Sequence, residues 1–537
     1  MYRFFTSLGM FVLLVIPVPM VDAQDQVAGA DPDTVWFDWA SPGIPGPVNG
    51  PAADAILRGP LPADAGVLAE RKAIAAEAAG KIASGTPQER SAPSPTPVIL
   101  LGKSGLLDGS STPSDSTGAI GTSRYIETVN SKVGIYDLDL GLIAQDTLAS
   151  WWSAVGDVFD PQVIWDASTN RFYYAGDIVI SDTDNRLAFG FSKTAAPDNA
   201  TTDWCHYNIG YGSEFPDYPK LGDSEYFAVI GVNVFSAAGP YRGSDIIAVG
   251  KPPAGTTCPD PATLMPGFGK NIKIGKRRAY TPVPANSIDS NATAWVVTSS
   301  PASKATEIGL FKVTRNATTG APVIQVKGSA VTVQSYDVPA NAPQKGTEFL
   351  LDTSDARITQ AVAAVDPGRG NKFAVWTQHT ISGGAGAMVR WYEIDPEGKT
   401  ILQTGNVKNS ALYYFNAAIS PDRVVKGATT AYGDSMVLNF NTSSATSYPA
   451  IKMVSKQGTD SVSAVKTVKS SPGPDIDFAC PELGFCRWGD YAAATPDPNA
   501  PTGATSGIVW GSSMWTKDGR INPEDVSWRT WNWKSQP

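Results

Sequence analysis

Four aspartates stand at the heads of short β-like runs: Asp160 in FDPQV, Asp217 in DYPKL, Asp355 in DARIT and Asp490 in GDYAA. Lys220, Arg357 and Arg487 lie within three residues of them, and Tyr218, Trp488 and Tyr491 sit beside them. Converging carboxylates and guanidinium groups recognise sugars or carboxylate ligands through charge-assisted, bidentate hydrogen bonds. Two carboxyls held at different pKa values are the machinery of glycoside cleavage. On that chemistry Asp217, Asp355 and Asp490 are the candidate acid/base residues. Asp160, Tyr218, Lys220, Arg357, Arg487, Trp488 and Tyr491 are the candidate ligand-binding residues, the aromatics as stacking faces. The competing reading is structural. The same residues would then form salt bridges between neighbouring segments and cap backbone N–H groups, with Trp488 as a wedge and Gly489 permitting close approach. Recurrence at one place in several segments favours the structural reading for any single residue, because catalytic residues are usually unique.

Other chemistries are short of residues. The chain has two histidines, His206 and His379, so a Ser-His-Asp relay or a His-rich metal centre has little to work with. His206 reads as a packing or surface residue, and His379, at a strand end, as a group able to face a channel. DTDN at 182–185 and TPDPN at 495–499 offer oxygen ligands but not EF-hand spacing, and read as Asx turns. No metal and no cofactor is expected, and calcium is not assignable. SGGAG at 382–386 lacks the Lys and the following helix of a phosphate loop. The four cysteines allow three pairings. Cys480 and Cys486 enclose only PELGF, so local closure favours Cys480–Cys486, leaving Cys205–Cys258.

The rest of the composition says what must position these groups. Only 17 % of the 537 residues are charged, against 51 Gly, 42 Pro and 15 Trp, the profile of a turn-rich β protein with a large core. The net charge of -9 argues against nucleic acid or an anionic membrane as partner. Residues 1–23 read as a signal peptide, with Arg3, an apolar run from Phe4 to Val21, and a small-x-small site at 21–23. A secreted or periplasmic monomer follows, with paired cysteines and no membrane span after cleavage. Residues 24–97 form a Pro/Ala-rich extension. Its Ala-rich stretch at 63–84 is the one clear helix, either packed on the main domain or acting as a spacer, and a Pro/Ser linker follows at 91–97.

From residue 98 to 537 the texture is short strands between Gly, Pro, Asn and Asp turns. One outline recurs at 120–138, 159–179, 217–235, 286–300, 355–378, 414–433 and 487–513. The intervals are too irregular for a solenoid and suit four-stranded antiparallel blades with variable loops. The runs at 186–194, 244–251, 307–314 and 387–394 fit middle or outer strands. The fold expected is an all-β propeller of six or seven blades; a sandwich with a second domain is the alternative.

The ordered set F-D-P-x-V at 159–163, D-Y-P-K-L-G at 217–222, D-x-R-I at 355–358, V-R-W-Y-E at 389–393 and R-W-G-D-Y at 487–491 resembles a family of secreted bacterial proteins with a sialidase-like β-propeller domain, over roughly residues 118–515. The resemblance implies one propeller and no defined activity. Sialidases carry the turn S-x-D-x-G-x-x-W, which this chain lacks, and their arginine triad and Tyr/Glu pair have no residue-by-residue counterpart here. The function expected is an exported propeller that binds extracellular or cell-envelope glycans or proteins without catalysis. A glycoside hydrolase using Asp acid/base residues and a structural envelope protein are the alternatives.

Overall fold

The computed structural model describes residues 63–79, 93–109, 111–236, 239–499, 501, 503–517 and 528–537, with the backbone of 56–57. The signal peptide expected at 1–23 and most of the 24–97 extension lie outside the described residues.

Residues 157–212 show how the sequence makes a blade. Asp157–Asp166, Arg171–Ser181, Asp184–Ser192 and Trp204–Gly212 run antiparallel, each paired to the strand before it. The first turn closes because the Asp166 carboxylate accepts the N–H groups of Ser168 at 2.9 Å and Thr169 at 3.1 Å. These strands bury apolar side chains on both faces, in one cluster with blade 1 and another with blade 3, since a blade is covered by a neighbour on each side.

Six further sheets repeat the plan, with inner strands Thr117–Ile120, Glu214–Asp223, Tyr280–Pro284, Ile358–Asp366, Tyr413–Pro421 and Ala493–Pro496. Each inner strand packs against the inner strands of the next and previous sheets, and the last meets the first. The molecule is thus an all-β propeller of seven blades, numbered here in chain order from the Thr117 strand. Seven apolar clusters fill the seams between blades, such as Ile164, Phe189 and Ile230 between blades 2 and 3, and Val437, Ala494 and Trp533 between blades 6 and 7. Fully burying one such side chain contributes about 1.5–3 kcal/mol, so the seams hold the ring.

Blade 7 closes the circle. Its three C-terminal strands end with Trp528–Gln536, whose outer edge pairs antiparallel with Val98–Ser104, the first strand of the propeller. Blade 4 carries two extra edge strands, Lys273–Ile274 and Arg277–Arg278.

Most of the recurring segments fall on first and second strands. The one at 120–138 does not: it starts at the last residue of an inner strand and runs through the second and third strands of blade 1. The segment at 286–300 begins after the inner strand of blade 4 has ended. The helix expected at 63–84 spans Ala65–Ala79. Asp64 caps it through the Val67 N–H at 3.0 Å, and the stretch after Ala79 lies outside the described residues. It packs on the propeller: Arg71 reaches Asp337 at 3.1 Å and the Pro301 carbonyl at 2.6 Å, and Lys72 reaches Asn341 at 2.5 Å and Asp352 at 3.0 Å.

Both cysteine pairings occur as expected. Cys205–Cys258 ties the outer strand of blade 2 to a loop of blade 3 across 53 residues, and Cys480–Cys486 closes a short loop before blade 7. The chain entropy removed from the unfolded state differs with loop length. Replacing the first pair by alanines is expected to cost about 4 kcal/mol and the second about 2 kcal/mol, measured by denaturant unfolding.

Candidate functional site: a buried ionic cluster at the propeller axis

Six inner strands begin with the same backbone device. Asp115, Asp160, Tyr218, Thr281, Ala356 and Asn416 all have positive φ, between 45° and 68°. In blades 2, 3, 4 and 6 this residue sits in a register shift of the inner strand against the second strand. Such a bulge re-aims the next side chains. A non-glycine residue in this region costs of order 1 kcal/mol or more and persists because its surroundings hold it. Here the Asp160 N–H donates to Asn130 Oδ1 at 2.9 Å, and the Tyr218 hydroxyl donates to the Asp490 carbonyl at 2.8 Å.

The bulges bring most of the sequence-derived residues together at the axis. Arg357 donates from Nε and Nη2 to the two oxygens of Asp355, both at 2.7 Å, and from Nη2 to the Tyr280 hydroxyl at 2.6 Å. Its guanidinium also lies over the Tyr218 ring, 4.7 Å from the centroid. Lys220 lies between two aromatic faces, 3.4 Å from the Tyr491 centroid and 4.0 Å from that of Tyr218, and its ammonium has no hydrogen-bond partner among the described residues. Tyr491 donates to Asp160 at 2.9 Å. Arg487 pairs with Asp490, whose N–H donates to Asp115 Oδ1 at 3.0 Å.

Burial sets the charge states. The Asp490 carboxyl is pushed up to about 6 by loss of water, against the pull of Arg487. Asp115 is raised well above the usual carboxylate range by burial and by its neighbours Asp160 and Asp490. Burial lifts Asp160 too, against the Tyr491 hydrogen bond and Lys220, and depresses the Lys220 ammonium well below its ordinary value. Asp355 goes the other way, to about 2: burial resists its charge, but Arg357 and its hydrogen bonds overcome that.

The candidates do not offer the surfaces that were expected of them. Trp488 is 2 % exposed and packs on Phe415 in an apolar cluster with Cys480 and Cys486, so it has no free stacking face. Tyr218 and Tyr491 are 1 % and 0 % exposed, each covered by Lys220. Asp217 is buried at 2 % exposure on the strand Glu214–Asp223. The axial cavity beside Lys220 has a volume of about 30 Å3, room for one or two waters. His379 is fully buried: its ring bonds the Ala356 carbonyl at 3.1 Å and the Tyr392 hydroxyl at 3.0 Å, and burial holds its pKa near 3. His206 is bonded to the Tyr174 hydroxyl at 2.7 Å. Asp184 pairs with Arg186, and Asp497 accepts from Asn499 N–H and Trp510 Nε1, both at 2.8 Å. Among the described residues no three His, Cys, Asp or Glu side chains gather as metal ligands.

Sequence reasoning missed Asp115, Tyr280, Asp352 and Lys72. It also missed a second set of aspartates at the opposite ends of the inner strands: Asp166, Asp223, Asp289, Asp366, Asp422 and Asp497. Asp366 and Asp497 cap turns of their own blades, and the other four staple blades together. Lys251 bridges Asp166 at 2.9 Å and Asp223 at 2.6 Å, Arg423 of blade 6 grips Asp289 at 2.7 Å, and Asp422 accepts the Gly507 N–H of blade 7 at 2.9 Å. The signal was present in the sequence as an Asp after each run, in VIWDA, KLGDS, NSIDS, AAVDP, ISPDR and ATPDP. A cavity of about 110 Å3 lies among Asp166, Asp223, Ser287 and Asp289.

No family model matches the chain, and no curated protein matches it. Solved structures similar in fold include a mutant of Synechocystis apocarotenoid oxygenase, 11 % identical over 66 % of this chain and 72 % of that one, with a TM-score of 0.36. NanB in complex with Optactamide is 8 % identical over 70 % of this chain and 68 % of that one, with a TM-score of 0.37. The Dos1 propeller is 10 % identical over 82 % and 95 %, with a TM-score of 0.35. At such scores these likenesses carry no inference about activity.

Two outcomes follow from the cluster. Arg357→Met leaves Asp355 buried without its partner and is expected to destabilise the fold by about 3–5 kcal/mol in denaturant titrations. The pH dependence has two signs. Asp490, Asp223 and Asp422, each near 6, hold protons in the folded state that the unfolded carboxyls, near 3.8, have lost. Their contribution is full below about pH 4 and is lost as pH rises through about 6. The Asp355 contribution is present above about pH 4 and is lost as pH falls through about 2. Calorimetry should therefore find a higher Tm near pH 5 than near pH 7.5, with a fall at the acid extreme.

Proposed function

We propose that this chain is an exported, non-catalytic propeller that binds a carbohydrate or another cell-envelope component through its outer surface, as a monomer. The observation that carries this reading is the state of the axial carboxylates. Asp217 and Asp490 are 2 % and 5 % exposed and the Asp355 side chain 8 %, and none of the three lines the axial cavity, whose volume of about 30 Å3 is in any case far smaller than a sugar ring. Glycoside cleavage needs a glycosidic bond seated between two carboxyls, with space for water in the inverting case. Asp355 is committed to a two-pronged ion pair with Arg357, so it is a poor proton donor at neutral pH. Two disulfides support a location outside the reducing cytoplasm, and no helix among the described residues is long and apolar enough to cross a membrane.

The test is a panel of soluble polysaccharides and envelope fractions, assayed for product release and for saturable binding in parallel. Binding without product is expected, with Asp355→Asn and Asp490→Asn affecting stability rather than affinity. Product release by the unmodified protein that disappears in Asp490→Asn or Asp217→Asn, with the fold intact, would establish the hydrolase instead.

A further inference from the structure

Resting on the binding reading above, we infer that a cleft on the rim of blade 6 is the ligand site and that it takes an acidic saccharide, one bearing a carboxylate on its ring. The cleft lies between the segment that leads toward the inner strand of blade 5 and the strands Ser435–Ser444, Ser447–Gln457 and Lys466–Ser470. Its volume is about 320 Å3, within the range of small-molecule sites and larger than the cavities at the axis, the opposite face and the blade 5–6 seam.

Its lining is chemically one-sided. Lys345 and Lys452 supply two ammonium groups, and no carboxylate lines the cleft. The two lysines line the cleft with no acid among its lining residues, in a chain whose net charge is -9. Lys452 is half-buried, and loss of water lowers its pKa with no neighbouring acid opposing the shift. An ammonium in that position gains from an anionic ligand, because the bond is charge-assisted and partly shielded from water. Lys345 lies over the Tyr448 ring, 4.8 Å from the centroid, and both residues line the cleft. Thr442, Thr467 and Ser470 add hydroxyls that both donate and accept, the complement of a sugar's own hydroxyls. The acidity of the whole molecule opposes long polyanions such as nucleic acid, so a short acidic sugar engaged locally fits better.

The test uses the full chain in calorimetric titrations with an oligogalacturonate and with the neutral oligogalactoside of equal length. The acidic ligand is expected to bind and the neutral one to bind at least about tenfold more weakly. Lys452→Ala is expected to weaken the acidic ligand about tenfold, the double variant Lys345→Ala/Lys452→Ala more, and Lys276→Ala, on the remote blade 4 hairpin, not at all. Raising the salt should weaken the unmodified protein and spare the double variant. Both lysines are at least partly exposed, so the thermal melts of the variants should match that of the parent. Equal affinity in the double variant would overturn the cleft while leaving carbohydrate binding intact. Preference for the neutral ligand would overturn the acidic class. If neither saccharide nor any envelope fraction binds, this inference falls together with the reading beneath it.

Discussion

The ring is closed by hydrogen bonds between the two ends of the propeller sequence. Val98–Ser104 is the outer strand of a blade whose other three strands come from residues 493–536. Until that strand docks, blade 7 exposes an unpaired edge, and the seam with blade 1 lacks the cover that Leu101 gives it. Once it docks, all seven seams are filled, and the axis becomes an interior. The apolar seams provide the stabilisation, and the closure makes it cooperative, because each blade is held on both faces only if none is missing.

A closed axis imposes a second requirement. Charged groups at the heads of the inner strands lose their water, and a buried charge is tolerated only when paired and hydrogen-bonded. The protein meets this unevenly. Asp355 and Arg357 form a complete bidentate pair with Tyr280 as a third partner, and Asp355 stays acidic. Asp115, Asp160 and Asp490 crowd one another and are lifted, while Lys220 is accommodated by two aromatic rings instead of hydrogen bonds. Perturbed pKa values of this kind are often read as catalytic. Here they accompany near-complete burial and a cavity the size of a water or two, and the same geometry accounts for them as the cost of joining seven strand ends at one point. The aspartates at the far ends of the inner strands do related work with less crowding, as turn caps and blade-to-blade staples.

If the axis is sealed, recognition moves outward, to places where loops and blade edges leave concavities. The cleft on blade 6 owes its cations to two sequence-distant segments, Lys345 before blade 5 and Lys452 on the third strand of blade 6. Neither lysine is notable in its local sequence.

Much was legible from the chain alone. The repeated strand–turn outline gave the propeller, since antiparallel pairs of Val, Ile and aromatic strands with Gly and Asp turns are a local matter. The short spacing of Cys480 and Cys486 gave one disulfide and, by elimination, the other. FDP and DYP were legible as strand heads but not as bulges, and the convergence of Asp160, Lys220, Arg357 and Arg487 followed from placing those motifs on inner strands. What local sequence did not carry was depth. Whether a strand head opens on solvent or on a neighbour's side chain depends on the loops at 111–116, 340–357 and 472–490, whose contacts with one another are long-range. Trp488 could be a stacking face or a core wedge from its neighbours alone, and packing on Phe415 and the Cys480–Cys486 loop makes it the wedge. Residue types and their order determined the fold class, the disulfides and the grouping of charges, because these rest on periodicity and short-range geometry. Only tertiary structure decided which charges keep their water, because desolvation is a property of everything that closes over a group and not of the group's own stretch of chain.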